Sequence, residues 1–490
     1  MAGAANPVRT IAPGLPFLRV LAEALCDGRL APGYRYDETD PLSLASVTIF
    51  VPTRRAARVL RSEFVDLLGG RSAILPVIRP LGETDDDSGY FDIDSPVIMD
   101  LAQPLPGTAR LLELARLVLA WRNRLPQIVR DIHSDSPLVA PASPADAIWL
   151  ARDLADLIDS LENEDRDWED VQKLEAQDHA LWWQLTTEFL KIASAFWPAR
   201  LEELGRSSNV RHRNALLRSE AQRLANLQAA GPVIVAGSTG SIPAACALIG
   251  AVAKLPQGVV VLPGLDLTMD AADWAEIDPV LPPGGRADPA HCTHPQFGLF
   301  QLLKRLGLTR EDILPLGEPS ADLSLRAKIL SHAMAPSRST DRWSGWRNAL
   351  DPEGIAQAFA DVALIEAANE REEATAIAIA LRLALEEPGR HGESQAALIT
   401  PDRALARRVA AELARFGITA DDSAGTPLSA TPQGTLLQLI LEATLRPGDP
   451  VAIVSLLKHP LARFGLTPDT LARAVDALEL LALRGGVSEV

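Results

Sequence analysis

Short, almost purely apolar runs alternate with longer amphipathic ones along much of this chain, and no other feature restricts its folds as tightly. The runs "VRTI", "VTIFV", "AILPVI", "VIVA" and "GVVVLP" have the length of buried strands. The stretches between several of them repeat apolar residues at helical spacing, as Ala57, Leu60, Phe64 and Leu67 do. Strand and helix in alternation imply a parallel sheet, because consecutive parallel strands need a crossover between them. The expected class is therefore α/β, and ligands are sought at the carboxyl ends of the strands.

Between residues 108 and 228 the pattern changes. "TARLLELARLVLAWRNRL", "SPADAIWLARDLADLIDSLENE" and "LWWQLTTEFLKIASAFW" are amphipathic with almost no strand signal, and Ser143 can cap the second. Strands return at 232–237 and 258–264, so 108–228 reads as a helical insertion in one α/β domain built from 1–107 and 229–345. The polar, turn-rich stretch from 335 to 360 is the expected domain boundary. Beyond it the alternation restarts, with strands expected in "VALIEA" and "AALIT", giving a second α/β domain over 346–434. Residues 435–490 read as helical and stop without a closing element.

Composition adds bounds. At 490 residues the chain has room for about two to four domains, and 47% apolar with 23% charged residues is ordinary for a globular protein. No run approaches the ~18 apolar residues of a membrane span, and the first residues lack a signal-peptide pattern. A cytoplasmic protein with no membrane partner is expected. Cys26, Cys246 and Cys292 are too few for a disulfide framework or a four-cysteine metal site. The net charge of −17 argues against a surface that coats itself with nucleic acid, but leaves a local basic groove open.

One such groove is suggested twice. In "VTIFVPTRRAARVLRSEF" (47–64) Pro52 ends a strand, Thr53 can cap a helix, and Arg54, Arg55, Arg58 and Arg61 surround its first turns. Free amides and the positive dipole end of such a helix form an anion site. "AALITPDRALARRVAAEL" (396–413) repeats the pattern 349 positions later, with Pro401, Asp402 as cap, then Arg403, Arg407 and Arg408. Either copy alone is adequately explained as the solvated side of an amphipathic helix. Two copies at the same edge of two sheets favour phosphate-backbone contacts, Thr53 and Arg54 foremost.

The other strand ends lack nucleotide chemistry. A phosphate-binding loop after the first strand needs G-x-x-x-x-G-K-[ST], with glycines that let amides cradle phosphate and a lysine that neutralises it. "APGLPF" offers Pro13, Gly14, a second proline and no lysine. The strand "VIVA" ends in Gly237-Ser238-Thr239 where acidic residues would hold Mg²⁺. ATP hydrolysis is not expected. The enzyme alternatives are a residual ATPase or helicase module and an α/β-hydrolase, the latter with Ser238 as nucleophile and Asp266 and His291 or His294 following in order. Pro243 in the next helical turn leaves Ser238 upstream in a loop, which counts against an elbow. The "HCTH" cluster lacks a fourth metal ligand, Trp182-Trp183 suits packing, and Asp85 to Asp87 suit a solvated loop.

Taken together, "VTIFVPTRRAARVLRSEF…ILPVIRPLGETDDD", "VIVAGSTGSIPAACALIGAVAKLPQGVVVLPGLDL", "HPQFGLFQLLKRLG", "LIEAANEREEATAIAIALRLAL" and "AALITPDRALARRVAAELARFGITADDSAGTPLSATP" resemble the AddB family. AddB is the helicase-like, nuclease-bearing subunit of a RecBCD-like helicase–nuclease that resects double-strand DNA breaks for recombination. The resemblance implies two RecA-like domains of superfamily 1 type, each with a helical insertion. It implies single-stranded DNA contacts at Thr53, Arg54 and Arg55, with Asp402, Arg403 and Arg407 as weaker counterparts. It also implies double-stranded DNA ends and the AddA motor subunit as partners, and an association with the Chi hotspot sequence. Members are understood to lack motor activity, and some keep a phosphate loop that this chain does not. The family's iron–sulfur cluster and Mg²⁺ belong to a carboxy-terminal nuclease domain with no counterpart here, so no cofactor is expected and the chain reads as an amino-terminal portion.

Overall fold

The computed structural model describes residues 7–81, 101–124, 143–166, 168, 171, 186, 189–226, 231–278, 292–386 and 394–484. The chain divides into two compact units, Met1–Asp361 and Val362–Val490.

The first unit is α/β. Its elements begin β1 (Val8–Ile11), α1 (Phe17–Cys26), β2 (Thr48–Val51), α2 (Arg54–Leu68) and β3 (Val77–Pro80). Helices α3 (Gly107–Arg124), α4 (Pro144–Asn163), α5 (Trp197–Glu203) and α6 (Asn209–Asn226) follow. Then come β4 (Val233–Ala236), α7 (Pro243–Val252), β5 (Gly258–Pro263), α8 (Ala271–Glu276), α9 (Phe297–Leu306) and β6 (Leu314–Pro315). The unit ends with α10 (Ala321–Ala333), α11 (Trp343–Asn348) and α12 (Pro352–Ala358).

All six strands are parallel, in the order β3-β2-β4-β5-β1-β6. The central strands are apolar along their length because both faces are covered. On one side Leu21 and Leu25 of α1 and Leu60 and Phe64 of α2 pack against Ile49, Val51 and Ile234. On the other, Leu216, Leu248, Ile249 and Leu302 pack against Phe50, Val235 and Val260. Ile49, Phe50 and Val51 are completely buried, each worth about 1.5–3 kcal/mol. Both edge strands carry a proline, Pro80 and Pro315, which cannot donate to a further strand.

The helices of the insertion form their own core of Leu114, Val118, Leu154, Ile158 and Trp197. Ser143 and Asp146 make the reciprocal capping box at the start of α4, with Pro144 in its first turn. Arg110 grips Asp159 with two bonds of 2.8 Å. The last helix, α6, returns to the sheet, where its buried Glu220 meets Arg79 of edge strand β3 at 3.3 Å.

The second unit corrects an expectation. Helices α13 (Glu370–Glu386), α14 (Arg403–Arg415), α15 (Pro432–Leu445), α16 (Pro450–Leu457) and α17 (Pro468–Leu478) form where the sequence reads as helical. "VALIEA" and "AALIT", expected as strands, form none, and the unit's described residues contain no strand at all. Leu364 is 86% exposed and Ile399 95%. A strand exists through its neighbours, and two short apolar segments without further strands cannot assemble a sheet. What remains is a small core of Ala374, Ala378, Val409 and Leu413 between α13 and α14. Among the described residues of either unit, no helix is long and apolar enough to cross a membrane.

Candidate functional site

The carboxyl ends of β1, β2, β4 and β5 share one edge of the first unit's sheet, as parallel strands require. At β2 the backbone leaves the strand through Pro52, and Thr53 takes an extended conformation (φ −135°, ψ 160°). Its Oγ1 accepts from the Ala56 amide at 3.1 Å, capping α2 as the sequence predicts. Arg54 is half-buried, whereas Arg55 and Arg58 are exposed, and among the described residues Arg58 has no ion pair. Arg61 turns away to donate to the carbonyl of Ile78 at 3.2 Å, so it braces β3.

Apolar groups lie close to the neighbouring strand ends. Gly14 has φ +87°, and a Cβ there would lie 2.5 Å from Leu323 Cδ1 of α10. Leu323 thus packs close beside Gly14, while Pro13 and Gly14 themselves stay exposed. Pro16 precedes α1 and supplies no side-chain cap. Gly237 has φ +80° and faces the rings of Pro52 and Phe17, 3.4 and 3.5 Å from where its Cβ would be. Ser238 Oγ accepts from the Gly240 amide at 3.2 Å in a local turn. Leu323 is the residue that sequence reasoning missed, since nothing local links position 323 to position 14.

In the second unit Asp402 caps α14, accepting from the amides of Ala404 at 2.7 Å and Leu405 at 3.2 Å. Its arginines are engaged. Arg403 clasps Asp422 through both terminal nitrogens, one bond being 3.1 Å, and the hydrogen-bonded carboxylate raises its pKa. Arg408 pairs with Glu370, and Arg407 donates Nε to the carbonyl of Arg403 at 3.2 Å.

The serine, aspartate and histidine of the hydrolase reading are not arranged as a triad. His294 Nδ1 accepts from the Gln296 amide at 3.1 Å, and its Nε2 lies 2.9 Å from the carbonyl of Met334. With Nε2 donating to that carbonyl, neither ring nitrogen is left to take a proton from Ser238. Burial holds the His294 pKa below its ordinary value, outweighing the Met334 contact and the nearby Asp266 charge. Asp266 accepts from Thr268 N and Oγ1, both at 2.8 Å, and from Met269 N at 2.9 Å. Burial would raise its pKa, but these bonds and one from Ser331 together hold it below the ordinary carboxylate value. His291, Trp182, Trp183 and Asp85 to Asp87 lie outside the described residues.

Cys26 is half-buried at the end of α1, its thiol pushed up to about 11 by burial, while Cys246 is buried in α7 and Cys292 exposed. Among the described residues, no group of three or more histidine, cysteine, aspartate or glutamate side chains is placed to hold a metal. No protein-family model matches the chain, and no curated protein matches it significantly.

Proposed function

We propose that this chain is a helicase-like DNA-binding and scaffolding portion of a double-strand break resection complex, as its resemblance to the AddB family implies. On this reading each unit derives from a RecA-like domain of superfamily 1 type. The first guides one unwound strand across the carboxyl edge of its sheet, and the chain docks an AddA-type motor that supplies the ATP chemistry. The observation that carries the strand-binding claim is the corner at Pro52: a capped helix start with Arg54, Arg55 and Arg58 around it, at the edge where α/β sheets bind ligands. The loop after β1, with two prolines, one glycine and no lysine, supports a subunit that is not itself a motor.

The test is titration of single-stranded DNA against wild type and the Thr53→Ala/Arg54→Ala/Arg55→Ala variant at several salt concentrations. Each lost phosphate contact should flatten the logarithmic salt dependence by about 0.7. Unchanged affinity and slope would overturn the strand-binding claim. Calorimetric titration with ATP and Mg²⁺ should give no heat of binding, and micromolar affinity would defeat the motor-inactive reading.

A further inference from the structure

The end of α10, the segment after it and α11 line an open cavity of about 490 Å³, within the size range of small-molecule sites. Its walls are ring faces. His332 lies against Trp346 with ring centres 4.1 Å apart and planes 34° from parallel. Trp343 stands beside them, 45% exposed, its Nε1 donating to the carbonyl of His332 at 2.9 Å. The indole N–H is thus satisfied by backbone while much of the ring stays open. A tryptophan kept only for packing is usually far better buried. At the wall stand Thr340, Asp341 and Arg347, and among the described residues neither Asp341 nor Arg347 has an ion pair.

This is not a loose surface loop. Ser331, on α10, bonds to Asp266 in the loop after β5. The carbonyl of Met334 holds His294, and Arg342 pairs with the buried Asp273 and, at 3.6 Å, with Asp270. The elements that line the cavity are therefore tied to the loop and helix that follow the carboxyl end of β5. That edge is the one where β2 presents Thr53 and Arg54, with β4 lying between the two strands.

We infer that this cavity takes an unstacked nucleobase of single-stranded DNA, an inference that rests on the strand-binding reading. Indole and imidazole faces stack on any base. Asp341 can accept from an exocyclic amino group, and Arg347 can meet a neighbouring phosphate. A chain held by its phosphates at the Pro52 corner and by a base here would cross the sheet edge from β2 to β5.

The probes are a fluorescent mixed-sequence single-stranded oligonucleotide and its counterpart with abasic residues through the middle. Trp343→Ala should weaken binding of the intact strand about 5- to 100-fold with an unchanged salt slope. It should leave the abasic strand's weaker affinity as it was, and Trp343→Phe should restore most of the loss. Wild-type affinity in a Trp343→Ala protein with an unaltered unfolding midpoint would overturn the inference. So would an equal loss on the abasic strand. If that variant binds DNA normally but loses a partner polypeptide, the cavity takes a protein side chain instead. The two claims fail separately: the Thr53→Ala/Arg54→Ala/Arg55→Ala variant should weaken both oligonucleotides and flatten the salt slope, effects that Trp343→Ala does not produce.

Discussion

The corners at 47–64 and 396–413 share a sequence plan and differ in almost everything that surrounds it. In both, a proline and a capping residue start an arginine-rich helix, and in both the cap bonds are made. Before the first, Ile49, Phe50 and Val51 are completely buried in a six-stranded sheet. Before the second, Ile399 is 95% exposed and no strand forms. Around the first helix Arg55 and Arg58 face solvent; around the second, Arg403 and Arg408 are held by Asp422 and Glu370. A cap is closed by atoms three residues away, so it recurs wherever the motif does. A strand and an ion pair depend on what the rest of the chain brings.

Stability measurements should separate the two corners most strongly. Phe64→Ala, at the buried face of α2, should cost about 3–5 kcal/mol in denaturant unfolding of the first unit. Ile399→Ala should stay within about 0.5 kcal/mol, as exposed positions do. A comparable loss at Ile399 would mean that "AALIT" is covered after all. By contrast, Thr53→Ala and Asp402→Ala should each cost about 1 kcal/mol, because the caps are alike.

DNA binding should distinguish the corners next. Removing Thr53, Arg54 and Arg55 should lower single-strand affinity roughly 10- to 100-fold at low salt, consistent with the loss of two or three phosphate contacts. Replacing Arg403, Arg407 and Arg408 with alanine should do much less, since the carboxylates of Asp422 and Glu370 already compete for two of them. The reverse order of effects would transfer the strand-binding role to the second unit.

The smallest expected effect concerns the loop after β5. Asp266 has a folded pKa below its ordinary value, so its contribution is fully present above the ordinary carboxylate range and is lost as pH falls through the lower folded value. Asp266→Asn should therefore cost about 1 kcal/mol near neutrality, and the difference from wild type should vanish in acid. A difference that persists below pH 3 would show that the loop depends on shape rather than charge.

Much of the fold was legible beforehand. The strands at 8–11, 48–51, 233–236 and 258–263 fall within the apolar runs, that at 77–80 overlaps the end of one, and Ser143, Thr53 and Asp402 cap the helices they precede. β6, only Leu314 and Pro315, was invisible because two residues carry no period. At the site, the sequence pointed to Thr53, Arg54, Arg55, Arg58 and Arg61 on one helix, but that Arg61 donates to the carbonyl of Ile78 was not legible, since only the fold brings the two together. Leu323 beside Gly14, and His332 against Trp346, were hidden because each pairs residues of α10 with partners no local pattern links to them, and Trp343 and Trp346 lie in a stretch that reads as a polar connector.

By itself the sequence determined what short-range forces decide: which residues cap, which faces of helices are apolar, and that the loops after β1 and β4 lack a nucleotide-binding lysine and acids. Tertiary structure alone decided which apolar runs become strands, which carboxylates pair with Arg403 and Arg408, and that a leucine packs beside the first loop. Those outcomes turn on partners tens to hundreds of residues away. Burial, ion pairing and strand pairing take their energy from such partners, whereas a cap or a helical period is complete within a few turns.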